Sequence, residues 1–191
     1  MDLGLGDRRA FVVGGAGVDG PRGAVPDLSL DAWQRMLAVN LTGQFLCSRA
    51  AVREFLRRGV QADVSCSAGK ILCVSSVHEV IPWSGYSAYT SSKAALGMMT
   101  KTLAQEAAPH GVRVLAIGPG AIKTAINQSV WSDPAAAADL LTKIPMGHMG
   151  STDDIANMAV VLCSDVAGYV TGTTLMVDGA MTTYPEFARG G

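Results

Sequence analysis

In the stretch YTSSK, Tyr89 and Lys93 stand four residues apart, a spacing that stacks two side chains on one face of a helix. An ammonium close to a phenol favours the phenolate. It draws down a pKa that is ordinarily about 10 and fits tyrosine for general acid or base chemistry. The pair alone is equally a solvated helix pair worth about 0.2–0.5 kcal/mol. Ser76 changes that balance, because it lies thirteen residues earlier at the end of an apolar run, where its hydroxyl can hold a substrate oxygen against the phenol. Asn40, within AVNLTG, can offer its backbone and amide to a water that bridges toward the lysine.

Short apolar runs alternating with longer helical segments must position these groups, and that alternation predicts a parallel sheet covered by helices. Residues 9–13 form a candidate strand, and residues 29–58 read as helical with Ser29 as the cap. KILCVSS, residues 70–76, is β-rich and ends in small polar residues; residues 87–108 are helical and closed by Pro109, His110 and Gly111. VRVLAIGPG and TTLMVDG predict two more strands, with a helix over 152–163 between them. The longer insertion between Ile122 and Gly150 contains SDPAAAADLLTKIP, which predicts a short helix with flexible flanks. No repeat or linker divides the chain, so residues 1–191 read as one domain. Ligands of such sheets bind at the carboxyl ends of the strands, which here read GGAGVDG, SSVHE, GPGAIKT and DGAM.

The first of these contains a literal G-x-G-x-x-G at Gly15, Gly17 and Gly20. A dinucleotide fingerprint needs its third glycine to open a helix, whose free N–H groups and dipole hold the pyrophosphate. Here Pro21, Gly23 and Pro26 follow, and the position where a ribose-binding acid is expected holds Asn40. The glycines therefore need another explanation.

At 191 residues, 49% apolar, 16% charged and a net charge of −1, the chain is neither disordered nor built electrostatically for nucleic acid or an anionic membrane. Cys47, Cys66, Cys73 and Cys163 form no C-x-x-C, and His78, His110 and His148 are not at metal-ligand spacing near them, so no metal site is expected. Without a basic-then-apolar leader or a long apolar run, the expectation is a cytoplasmic protein with reduced thiols.

Taken in order and context, Asn40, Ser76, Tyr89 and Lys93 resemble the catalytic tetrad of the short-chain dehydrogenases/reductases. GPGAIKT is similar to the family's loop after its sixth strand, and YVTGTTLMVDGAM to its last strand. Within the family, SSVHEVIPW, GPGAIKTAIN, IPMGHMG and TTYPEF look most like glucose 1-dehydrogenases.

The resemblance implies an α/β, Rossmann-like doubly wound parallel sheet, truncated to about four or five strands. It also implies an NAD(P)-dependent oxidoreductase acting on a sugar or another secondary alcohol. Tyr89 would move the alcohol proton, Ser76 would hold the oxygen, and Lys93 would support the charge and the cofactor ribose. NAD or NADP would meet Ala16, Gly17, Tyr89, Lys93, Pro119, Gly120, Ile122 and Thr124. Asp19 and His78 either line the sugar pocket or are solvated loop residues. Family members pair the long helices between subunits, so a homo-oligomer, dimer or tetramer, is expected.

Against the family pattern, AGVDG is similar to the turn after the fourth strand, whereas RRAFVVGG resembles the first strand. The chain thus runs from the first strand into the fourth and omits two βα units, about 60 residues, including the cofactor loop. The decoy fingerprint is a junction. Smaller departures are Leu115 and Ala180, the latter where a second glycine is usual. Two outcomes follow: a working oxidoreductase, or a truncated, catalytically silent member that persists as a folded or oligomerising module.

Overall fold

The computed structural model describes residues 18–183 and 185, together with the backbone of 10–13. Four parallel strands form one sheet in chain order: β1 (Ala10–Val13), β2 (Gly69–Val74), β3 (Val112–Pro119) and β4 (Thr174–Val177). β1 pairs beside β2, with Ala10 opposite Lys70. Among the described residues it is an edge strand. β2 ends at Val74, two residues earlier than the sequence predicts, because Ser76 leaves the ladder to cap a 3₁₀ turn over Val77–Glu79.

Between β1 and β2 the chain is helical from α1 (Leu30–Leu37) through a π turn (Ala38–Thr42) into α2 (Gly43–Arg58). The Ser29 hydroxyl accepts from the Ala32 N–H at 3.2 Å, the cap that its residue type predicts. α3 (Ser87–Ala107) follows β2 and closes through a 3₁₀ turn onto Gly111, whose φ of +71° ends the helix. The insertion holds two helices rather than one, α4 (Gln128–Trp131) and α5 (Pro134–Leu141). α6 (Thr152–Cys163) begins with a capping box between Ser151 and Asp154.

Alternation along the strands divides the core in two. Ile71, Cys73, Val114 and Ala116 pack with Phe55 of α2 and Leu96 and Ala104 of α3. Leu72, Leu115 and Ile117 face Leu162 and Cys163 of α6. Helices on both faces make the sheet doubly wound, and its buried strands read as continuous apolar runs for that reason. No helix among the described residues is long and apolar enough to cross a membrane.

Candidate active site

The first two turns of α3 carry Tyr89 and Lys93 past the carboxyl end of β2. Lys93 is 5% exposed, and its Nζ donates to the Val74 carbonyl at 2.9 Å while lying 5.7 Å from the Tyr89 ring centroid. Burial draws its pKa down to about 8, opposed by Cys73 and Glu79. Burial also pushes the Cys73 thiol up.

Tyr89 departs from the sequence expectation. Burial pushes its phenol up, the Ser76 hydroxyl offsets part of that, and the Asp19 charge adds to it. The ammonium turns to a carbonyl instead of the phenol oxygen, so desolvation prevails over the lysine. Tyr89 and Ser76 are nevertheless neighbours, as their spacing predicts.

Ser76 is buried, and its Oγ accepts from the His78 N–H at 3.2 Å, which fixes the hydroxyl at the head of the 3₁₀ turn. His78 stacks on Trp83 with ring centroids 4.5 Å apart, and Trp83 stacks on Tyr86 at 3.8 Å. Tyr89 meets His78 and Trp83 edge-on, at 6.0 and 6.3 Å. Burial lowers the His78 pKa against its contact with the Ile81 carbonyl. His78 is thus one panel of an aromatic wall, and the exposed Asp19 lines a cleft with Met36, Tyr86 and Tyr89. Trp83 and Tyr86 are absent from the sequence-derived site. The aromatic at every third position in PWSGYSAY was the available signal.

Asn40 sits in the π turn, 1% exposed. Its amide is committed elsewhere than to a lysine-bound water: Nδ2 donates to the Val18 carbonyl at 2.7 Å and Oδ1 accepts from the Val18 N–H at 3.0 Å. Nδ2 also reaches Ser92 Oγ at 3.2 Å. Asn40 therefore clasps the segment bearing Asp19 to α1 and α3, and π turns recur where a helix serves such a site.

After β3, Gly120 lies so close to the residue just past β4 that a Cβ there would fall 2.7 Å from Asp178 Cα, and Ile122 bridges to Gly150. The Thr124 hydroxyl donates to Asn127 Oδ1 at 3.1 Å, and the Asn127 amide returns to the Ile122 carbonyl at 2.9 Å. Thr124 is held inside its own loop, with its hydroxyl engaged by Asn127. Pro119, Gly120, Ile122 and Thr124 form one loop at the carboxyl end of β3. Ala16 and Gly17 lie outside the described residues.

For a dinucleotide these residues fit one end only. The glycine-tight loop after β3 and the buried Lys93 suit a nicotinamide and its ribose. For the pyrophosphate, the first α-helix after β1 among the described residues begins at Leu30, beyond an irregular stretch and the 3₁₀ turn at Val25–Asp27, so the described residues that follow the strand present no early helix N-terminus to receive it. Among the described residues, no cluster of His, Cys, Asp and Glu could hold a metal ion.

A family model described as Enoyl-(Acyl carrier protein) reductase matches residues 7–182. The chain is 50% identical over 162 residues to 3beta-hydroxysteroid dehydrogenase 1 of Eggerthella lenta, covering 85% of this chain and 59% of that protein. It is 39% identical over 175 residues to glucose 1-dehydrogenase 2 of Bacillus subtilis, covering 92% of this chain and 65% of that one. The crystal structure of a gluconate 5-dehydrogenase from Burkholderia cenocepacia in complex with NADP and tartrate superposes with a TM-score of 0.81 at 28% identity, over 91% of this chain and 65% of that chain. The chain thus spans about three fifths of the length of the curated relatives it matches.

Proposed function

From the premise that the chain belongs to the short-chain dehydrogenase/reductase family, we propose that it carries the chemical half of an NAD(P)-dependent oxidoreductase site, acting on a secondary alcohol of a sugar. The observation that supports this most is the convergence of Tyr89, Ser76 and the buried Lys93 at the carboxyl end of β2, beside the cleft lined by Asp19.

The nicotinamide supplies the hydride acceptor when bound. Tyr89 takes the proton from the substrate hydroxyl, and Ser76 holds the same oxygen through its own hydroxyl. Lys93 keeps positive charge behind the phenol, and Asn40 holds the Asp19 segment over the site. Because burial raises the phenol pKa, Tyr89 is protonated at neutral pH, which suits protonation of a carbonyl oxygen in the reductive direction. Oxidation requires the phenolate. The oxidative rate should therefore rise with pH while the reductive rate falls, a split read from initial rates in both directions.

A second reading, a silent member, is favoured by the first α-helix described after β1 beginning only at Leu30. Both readings expect weakened dinucleotide affinity, because the pyrophosphate half supplies much of the binding and orientation. The residues of 1–191 are taken as one domain of a cytoplasmic homo-oligomer. The exposed Phe45 and Leu46 of α2 and Met98 of α3 support the assembly, and a monodisperse monomer by light scattering would refute it.

The test is an NADH fluorescence titration with assays of glucose and of a 3β-hydroxysteroid, the latter because the flat aromatic wall at Trp83 also suits a flat apolar ring. It is run on this chain and on a version with the two missing βα units inserted between Gly15 and Ala16. We expect no saturable binding at millimolar concentration by the chain alone and turnover after insertion. In the inserted protein, Tyr89→Phe should lower turnover about 10²–10⁴-fold. An inserted protein that binds NADH tightly and turns over neither alcohol would defeat the oxidoreductase reading. Submillimolar binding by the uninserted chain, with turnover lost in Tyr89→Phe, would defeat the silent one.

A further inference from the structure

Glu79 enters the site described so far only as a charge acting on Lys93, yet three elements meet on its carboxylate. Ser75 Oγ, just past the end of β2, donates to Oε2 at 2.7 Å. Thr174 Oγ1, at the start of β4, lies 3.0 Å from both oxygens. On α3, Gly97 faces the same group so closely that a Cβ there would overlap the carboxylate, falling within 2.3 Å of both Oε1 and Cδ. Gly97 is one helical turn beyond Lys93 on the same face, so the missing side chain at 97 makes the space that the carboxylate fills on that face of α3.

The titratable groups facing Lys93 are Cys73 from β2, Glu79 from the turn after it and Tyr89 from its own helix. Of these Glu79 is the carboxylate, whereas burial pushes both the thiol and the phenol up, towards their neutral forms. We propose that Glu79 is a positioning residue: fastened by Ser75 and Thr174 and seated against Gly97, it supplies the counter-charge for the Lys93 ammonium and anchors the turn that presents Ser76 and His78. Its role in a reaction rests on the oxidoreductase reading. The coupling to Lys93 does not.

The experiment follows the ¹⁵Nζ resonance of Lys93 through a pH titration of lysine-labelled protein, assigned with Lys93→Met. The wild-type midpoint should lie at about 8. In Glu79→Gln, which keeps shape and removes charge, the midpoint should fall by about half a unit to one unit, with wild-type near-UV circular dichroism. A folded Glu79→Gln protein with an unmoved midpoint overturns the proposal. If that variant does not fold, Gly97→Ala decides, because its methyl displaces a carboxylate that is still present: a lowered midpoint supports the coupling and an unmoved one overturns it. The titration needs neither substrate nor dinucleotide. A moved midpoint, beside an inserted protein that binds NADH tightly and turns over neither alcohol, therefore upholds the coupling while the oxidoreductase reading fails. An unmoved midpoint with turnover does the reverse.

Discussion

Two buried lysines, one at each end of β2, are treated in opposite ways. At the amino end, Lys70 is 1% exposed and forms an ion pair with Asp165 at 2.8 Å, with Ser65 Oγ at 2.7 Å. Arg113, directly opposite in β3, donates to the carbonyls of Leu162 and Ser164, each at 2.9 Å, and so closes the end of α6. At the carboxyl end, Lys93 is almost as buried but donates to a carbonyl and forms no ion pair among the described residues. One end spends its polar groups on holding strands, helix and turn together. The other leaves an amine, a phenol and an imidazole with protonation shifted by burial, which is the condition of a site that must exchange protons.

The largest effect that can break this comparison is at Asp165. Burial alone would raise its pKa, but hydrogen bonds from Lys70, Ser65 and the Cys66 N–H outweigh that and hold the carboxyl well below the usual carboxylate range. Asp165→Ala leaves the Lys70 charge buried without its partner and should cost about 3 kcal/mol in urea unfolding at pH 7. The sign with pH follows from a depressed carboxyl. The unfolded chain binds the proton first as pH falls below about 4, so the contribution is complete above that value and fades below it. The gap between wild type and variant should narrow in acid, and a gap that stays constant down to pH 3 would show that the loss is not electrostatic.

A smaller effect of opposite sign is expected at the other end. Lys93 has a folded pKa of about 8 against the usual 10.5, so at neutral pH the folded state carries the cost of a desolvated ammonium. Lys93→Met should stabilise the protein by about 1–3 kcal/mol at pH 7, the upper bound being the shift converted and the lower allowing for the lost bond to Val74. Between pH 8 and 10.5 the unfolded lysine holds a proton that the native one has lost, so wild-type stability rises and the advantage of the variant shrinks. Lys70→Met should destabilise over the same range. Equal signs at the two lysines would end the distinction between a structural and a functional end of the sheet.

How much of this was legible depends on whether the cause is local. Ser29 and Gly111 announced helix boundaries because capping and a left-handed turn are settled within a few residues. Residues 152–163 were bounded correctly, and the structure adds the local device at their start, the Ser151 capping box. The place of β1 beside β2 followed from the reading of its strand as a junction, because the short link back to the helix leaves little choice of neighbour. Groups whose state depends on distant neighbours were not legible. Nothing near Tyr89 in sequence says that desolvation outweighs Lys93, and nothing near Asn40 says that Val18, across a loop, would take its amide. Glu79 stood in plain view beside Ser76, but its partner Thr174 is 95 residues away.

The carboxyl ends also store backbone strain, and this gives the smallest and most specific test. Ala180, just after β4, is the one non-glycine residue among those described with a positive φ, +72°. It stands where the family resemblance expects glycine. Asp178 compels the conformation: its Oδ1 accepts from the Ala180 N–H at 2.9 Å, and its Oδ2 accepts from the N–H and hydroxyl of Thr182 at 2.9 and 2.8 Å. A Cβ in the left-handed region costs about 1–2 kcal/mol. Ala180→Gly removes that cost but loosens the unfolded chain, which returns about 0.4–1 kcal/mol. The difference predicts a net gain of about 0.5 kcal/mol, a rise in Tm of about 1–2 °C for a chain of this size. Asp178→Ala, by freeing the turn, should make the further change at 180 neutral or unfavourable, because an unconstrained alanine can leave the left-handed region and glycine then brings only its entropy. Thermal unfolding of the two single variants and the double variant reads both effects as a cycle. A loss of stability in Ala180→Gly alone would mean that the turn is not strained at Ala180, and the carboxyl end would then differ from the amino end in charge only.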